Sequence, residues 1–268
     1  RFYTLEPDPE DPPPGASAIA ERPAPQEDVK ALRLQRNGEA LARAREILDR
    51  DEAVTPEERQ ALLGRYTGVG GLVEVDQERY GAMASLQQSK ASLGQYLTPL
   101  PVARFFADAL AIRAGSAYDN CAGCGRLFAH LPATVRLTAI ELQDEAYTLL
   151  NALYRRWPGG AELVHGDCLA YRSRDAFDYA LGNPPFGLTW SVEDTAPLDA
   201  ASEHKGHVLS LEAATELQVR ALRPGGFLAL VVPETALERD GLRRWREWML
   251  ARCCEMARIS LPRSGDED

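Results

Sequence analysis

Apolar positions change rhythm along the chain. From about Val29 to Leu63 they fall at helical spacing. Leu41, Ala42, Ala44, Ile47 and Leu48 recur among Arg and Glu, without the alternation a strand needs. Thr55-Pro56-Glu57-Glu58 supplies a helix start: a hydroxyl N-cap, proline at the first helical position and acids near the positive end of the dipole. Two helices are thus predicted ahead of Arg65-Tyr66-Thr67-Gly68-Val69-Gly70-Gly71-Leu72, where three glycines break the helical pattern. After Tyr96, short apolar runs alternate with helical patterns. Strands are predicted at Ala117–Asp119, Leu137–Leu142, Glu162–Gly166, Phe177–Leu181, Phe227–Val232 and Glu255–Leu261, and helices near Val102–Ile112, Asp144–Arg156, Leu209–Leu222 and Arg239–Arg252. This alternation, with right-handed crossovers, predicts an α/β fold: a doubly wound, mostly parallel sheet covered on both faces.

Composition narrows the class. With 45% hydrophobic and 26% charged residues the chain can bury a core, and its 268 residues leave room for one large α/β domain and an appendage. Residues 1–28 hold seven prolines beside Glu6, Asp8, Glu10 and Asp11, and read as an acidic tail or linker. Residues 29–91 read as a helical region and 92–268 as the chemical domain. No apolar run reaches the roughly 18 residues of a membrane span, and no signal peptide is visible in the residues that follow Arg1-Phe2-Tyr3. Five cysteines form no disulfide framework, so a reducing cytoplasm is expected. A net charge of −10 excludes a uniformly basic nucleic-acid-binding body but permits a local basic cleft. One such patch is Arg239, Arg243, Arg244, Arg246, Arg252, Arg258 and Arg263 with Trp245 and Trp248 interleaved; a solvated Arg face over inward tryptophans is the competing reading.

Three features carry chemistry. Asn183-Pro184-Pro185-Phe186 directly follows a predicted strand, at the carboxyl edge where open α/β sheets bind ligands. Its Asn amide oxygen and a neighbouring carbonyl offer two acceptors, and Phe186 a plane, which suits a planar ring bearing an exocyclic amine. Asp119-Asn120-Cys121-Ala122-Gly123-Cys124-Gly125 lies between a strand and a helix-like Arg126-Leu127-Phe128, where glycines admit close approach of a ligand. Cys121 and Cys124 have no second ligand pair at zinc-finger spacing, so no metal site is assigned. Finally, Glu141 and Asp167 end successive strands, where carboxylates can accept from ribose hydroxyls and an adenine amine.

With these features in order, residues 92–262 resemble the catalytic domain of class I S-adenosylmethionine-dependent methyltransferases of the amino-methylating DNA kind. Gly94-Gln95-Tyr96-Leu97-Thr98-Pro99 resembles the upstream motif of the gamma-order N6-adenine enzymes, which closes over the methionine end of the cofactor. The family's glycine loop is close to Asp-Pro-Ala-Cys-Gly-Ser-Gly; here Asp119, Gly123 and Gly125 are kept, with Asn120 for Pro and Cys124 for the small hydroxyl residue. Arg223-Pro224-Gly225-Gly226 matches the usual turn into the fifth strand.

The resemblance implies a seven-stranded sheet of order 3-2-1-4-5-7-6, with the last strand and a target-recognition domain expected to be absent or to lie beyond Asp268. It implies catalysis by Asn183, Pro184, Pro185 and Phe186, and S-adenosylmethionine held by Tyr96, Thr98, Pro99, Asp119, Ala122, Gly123, Gly125, Glu141, Leu142, Asp167, Cys168 and Asn183. The implied reaction is methylation of the N6 amine of a flipped adenine in DNA. Methylases of RNA guanine, cytosine N4 and protein glutamine share Asn-Pro-Pro-Phe, and a silent DNA- or partner-binding module is a further alternative. Residues 36–72 resemble the region before the methylase domain of large phage and plasmid methylase–helicase proteins of phage defence and anti-restriction. A partner subunit or a C-terminal recognition or helicase domain is therefore expected.

Overall fold

The computed structural model describes residues 26–50, 52–70, 72, 96–191, 198–200 and 206–261. Helix α1 spans Gln26–Asp49, beginning three residues inside the expected tail, and α2 spans Pro56–Arg65. The α2 start forms as the sequence predicts: Thr55 Oγ1 accepts from Glu58 N and the Glu58 carboxylate accepts from Thr55 N, each at 3.2 Å. Gly94 and Gln95 of the upstream motif, and Gly71, lie outside the described residues.

Five strands make the central sheet: β1 (Gly115–Asp119), β2 (Val135–Glu141), β3 (Ala161–His165), β4 (Phe177–Gly182) and β7 (Leu222–Leu230). Their order is β3-β2-β1-β4-β7 and every neighbouring pair is parallel, which matches the expected 3-2-1-4-5 half of the sheet. Successive residues go to opposite faces. Ala117, Leu137, Ala139 and Leu181 enter one cluster, whereas Tyr118, Ile140 and Ala180 enter the other. Helices α3 (Leu100–Ala109) and α4 (Asp144–Tyr154) cover the first face, and Ala40, Ala44, Leu62, Leu63 and Tyr66 of the N-terminal region join the same cluster. On the second face Leu217 and Ala221 of α5 (Ser210–Ala221) are buried.

Two expectations fail. Glu255–Leu261 forms no strand; Met256, Ile259 and Leu261 lie exposed in an irregular segment. An apolar run becomes a strand only when a neighbour takes up its backbone groups, and no described strand lies beyond β7. The stretch after Phe186, where no element is predicted, holds a short antiparallel pair, β5 (Thr189–Ser191) and β6 (His207–Leu209), too brief for alternation to register. The predicted turn Arg223–Gly226 is present as a bulge in β7: Phe177 pairs Leu222, but Tyr179 already pairs Phe227. The predicted Arg239–Arg252 helix is a 3-10 turn (Asp240–Leu242) followed by α7 (Arg243–Leu250), preceded by a short α6 (Glu234–Glu238).

Candidate active site

Parallel register brings the ends of β1, β2, β3 and β4 to one edge. Asp119 pairs Ala139, Glu141 pairs His165, and Gly182 precedes Asn183, so the candidates from all four strands share that edge. The glycine loop after β1 is shaped from within. Asp119 is buried and accepts from Cys121 N at 3.0 Å. Burial, aided by the charge of Glu141, pushes its carboxyl up to about 7. Gly123 (φ 56°) and Gly125 (φ 83°) both take left-handed backbone, for different reasons. A Cβ on Gly125 would lie 2.5 Å from the Tyr154 ring, whose hydroxyl donates to the Gly125 carbonyl at 2.7 Å. Among the described residues, a Cβ on Gly123 would meet only Leu97, at 3.9 Å. Gly125 is packed shut, and Gly123 lies open.

Glu141 links loop and strand. Its Oε2 accepts from Gly123 N at 2.7 Å and its Oε1 from Gln143 N at 2.8 Å. Desolvation raises its pKa, opposed by these backbone donors. Its carboxylate oxygens retain acceptor capacity for a ligand hydroxyl. Leu142 beside it is 65% exposed. Asp167 is exposed, with Oδ1 accepting from Leu169 N at 2.8 Å, while Cys168 is buried in the core of the second face. Ala122 is buried and donates its N–H to the Ile140 carbonyl at 3.0 Å.

Across the edge, the Asn183 side chain donates through Nδ2 to the Tyr96 carbonyl at 2.6 Å. Its Oδ1 is buried and has no hydrogen-bond partner among the described residues, a state costing about 1–3 kcal/mol unless a donor arrives. Pro184 is buried, and the Pro185 carbonyl accepts from Ser210 Oγ at 2.8 Å. Phe186 is half-buried against a cluster that includes Leu211, Leu242 and Trp245. Tyr96 is 66% exposed, Thr98 is buried, and Pro99 is the residue before α3. The upstream segment, the glycine loop and the Asn-Pro-Pro-Phe turn therefore meet. An open glycine cradle, an exposed apolar side chain, two strand-end acids and an orphaned acceptor fit an adenosine-bearing cofactor with an amine substrate beside it.

A profile of the N-6 DNA methylases matches residues 81–263. The chain belongs to the N-6 DNA methylase family. This methylase is 24% identical over 222 residues to a defence against restriction protein B of Escherichia phage P1, covering 80% of the chain and 9% of that protein. It is 32% identical over 177 residues to a type II methyltransferase of Thermus thermophilus, covering 60% of the chain and 39% of the relative. Among solved structures it resembles a type I restriction-modification methyltransferase subunit of Streptococcus thermophilus (TM-score 0.50, 23% identity, 67% of the chain and 43% of that one). The chain thus spans well under half the length of these relatives.

Several residues around the candidate site have no local signal in the sequence. Asn120, which stands where the family has proline, is buried and donates to the Ala214 carbonyl of α5 at 2.9 Å, tethering the loop to the second face. Cys121 and Cys124 pack into different clusters, and burial pushes the Cys124 thiol up to about 11. The Tyr66–Gly70 turn is pinned rather than loose. Buried Asn37 accepts from Thr67 N at 2.8 Å and donates to the Gly68 carbonyl at 2.9 Å. In the Arg patch, Trp245 and Trp248 are buried and Trp245 Nε1 donates to Thr215 Oγ1 at 2.6 Å, as in the solvated-face reading.

Proposed function

We propose that this methylase transfers a methyl group from S-adenosylmethionine to the N6 amine of an adenine flipped out of DNA, within restriction-modification or phage defence. The observation that carries this reading is the buried Asn183 Oδ1, unpartnered among the described residues and held at the sheet edge by the Nδ2 bond to Tyr96. When bound, the cofactor supplies an electrophilic methyl group. Gly123, Glu141, Leu142 and Asp167 hold its nucleoside, the two acids accepting from ribose hydroxyls and the adenine amine. Asn183 Oδ1 and the Pro184 carbonyl accept the two N–H bonds of the target amine and turn its lone pair towards the methyl. Phe186 stacks on the base. As the N–C bond formed, the cofactor's S–CH3 bond would break and leave a neutral thioether, and the amine's surplus proton would pass to water, so no covalent enzyme intermediate is needed. Much of the rate comes from holding the partners in line.

We assign target choice to a recognition domain or partner subunit, because both longer relatives carry far more chain than is matched here. The test is nucleoside analysis of DNA incubated with the protein and methyl-labelled S-adenosylmethionine. Labelled N6-methyladenine is expected. Label in N4-methylcytosine, RNA or protein instead, or cofactor binding with no transfer to any of them, would overturn the reading in favour of another amine substrate or a silent module.

A further inference from the structure

Arg126 immediately follows Gly125 and opens the 3-10 turn Arg126–Phe128. Its guanidinium reaches three carbonyls in two other segments. Nη2 donates to Leu63 O at 2.6 Å and Tyr66 O at 2.9 Å, at the end of α2, and Nη1 donates to Thr98 O at 3.2 Å. Leu63 and Tyr66 are fully buried, and Asn37 of α1 holds the turn just beyond Tyr66. Thr98 lies two residues from Tyr96, whose carbonyl orients Asn183. Leu97 between them is the residue nearest the open side of Gly123. One side chain of the cofactor loop thereby joins the N-terminal helices to the segment that borders both the glycine cradle and the catalytic amide.

We propose that Arg126 is a positioning residue, fixing Tyr96–Pro99 against the N-terminal helices so that the cofactor pocket and the Asn183 amide are held in one geometry. The inference rests on the reading of this edge as an S-adenosylmethionine site. It makes the N-terminal helices part of that site, where the sequence placed only a neighbouring region. A planar fork suits this work, since three carbonyls in different directions need donors on both terminal nitrogens. A lysine ammonium keeps charge and stem yet cannot span them.

The test compares R126K and R155A with the parent by titration with S-adenosylmethionine and by hydrogen exchange at the Leu97 and Thr98 amides. Arg155 donates to Ile47 O at 3.3 Å and Arg50 O at 2.8 Å, so R155A loosens the docking of α1 without touching Tyr96–Pro99. R126K is expected to bind the cofactor about tenfold or more weakly, the worth of a charge-assisted hydrogen bond, and to exchange faster at Leu97 and Thr98. R155A should stay within about twofold of the parent, as a site with no shared partner. Parent-like exchange in R126K, or equal losses in both variants, would overturn the clamp. A parent that binds no cofactor would sink the cofactor reading instead, and exchange at Leu97 and Thr98 would then judge the clamp alone.

Discussion

Asn183 Nδ2 lies 2.6 Å from the Tyr96 carbonyl, and that bond decides which way the Asn183 amide, the proposed catalytic group, faces. A carbonyl can only accept, so the NH2 end must point at Tyr96 and the oxygen away from it. On the proposed reading this oxygen is the acceptor for a substrate amine, and among the described residues it has no hydrogen-bond partner. N183A removes the acceptor, and N183D keeps an oxygen but sets a carboxylate against the Tyr96 carbonyl. Methyl transfer should fall by about 10²–10³ or more in each, the cost of losing a preorganised partner. Cofactor affinity, measured by calorimetry, should stay within a few-fold. Retained turnover in N183A would sink the mechanism.

Gly123 and Gly125 should separate binding from stability. At Gly125 an added Cβ meets Tyr154 at 2.5 Å and Leu150 at 2.8 Å. Overpacking of this kind costs about 1–3 kcal/mol, and the left-handed backbone adds about 1–2 kcal/mol. G125A should therefore lower the unfolding midpoint markedly. G123A pays the backbone cost alone, since among the described residues only Leu97 at 3.9 Å is near. Its larger defect should be in cofactor binding, because the methyl fills the cradle. Thermal unfolding beside titration would show the split, and equal effects in both assays would refute it.

Glu141 and Asp167 should also differ. Glu141 accepts from Gly123 N and Gln143 N, so E141A unlocks the loop as well as removing a ligand for the ribose. Asp167 is exposed and accepts from Leu169 N only within its own turn. Both substitutions should weaken cofactor binding, each by the roughly 1.5–3 kcal/mol of a hydrogen bond to a charged group. E141A alone should also lose thermal stability.

Stability should fall as pH rises towards neutrality, in part through Asp119. Its carboxyl keeps its proton in the folded protein up to about 7, against 3.8 for the ordinary residue. Between those values the folded state binds more protons than the unfolded one, so stability present at low pH is lost as pH climbs through 7. Glu141, also raised, acts in the same direction. D119N should flatten the dependence of the unfolding midpoint between pH 4 and 8, where both of its states are neutral. An unchanged slope would show that Asp119 is ionised in the fold.

Much of this site was legible because strand ends are local. Asp119, Glu141, Asp167 and Asn183 each follow an apolar run, and parallel order alone carries them to one edge. Glu255–Leu261 has the same apolar look, yet it stays irregular and exposed, because pairing depends on a neighbour and not on composition. Arg126, Asn37, Asn120 and Tyr154 were illegible for a related reason. Their partners lie 60, 30, 94 and 29 residues away in the chain, and nothing in a local pattern announces a carbonyl at that distance. Asn120 even reads as a departure from the family loop until its bond to α5 is seen.

The Arg patch bears on DNA. Arg243 pairs with Glu247 at 2.8 Å, Arg246 donates to the Ala236 and Arg239 carbonyls at 3.0 and 2.7 Å, and Arg252 sits 4.1 Å over Trp248. Arg246 ties α6 to α7, Arg243 and Arg252 are engaged within their own segment, and the chain as a whole carries a net charge of −10. Residues 1–268 should bind DNA weakly and without sequence preference, and the binding should be mostly lost by about 200 mM salt. R246A should cost thermal stability with little change in DNA affinity, since it removes two bonds to backbone carbonyls and no phosphate contact. Tight, sequence-specific binding in a salt titration would overturn this and locate a recognition element within these residues, with the N-terminal helices as the first place to look.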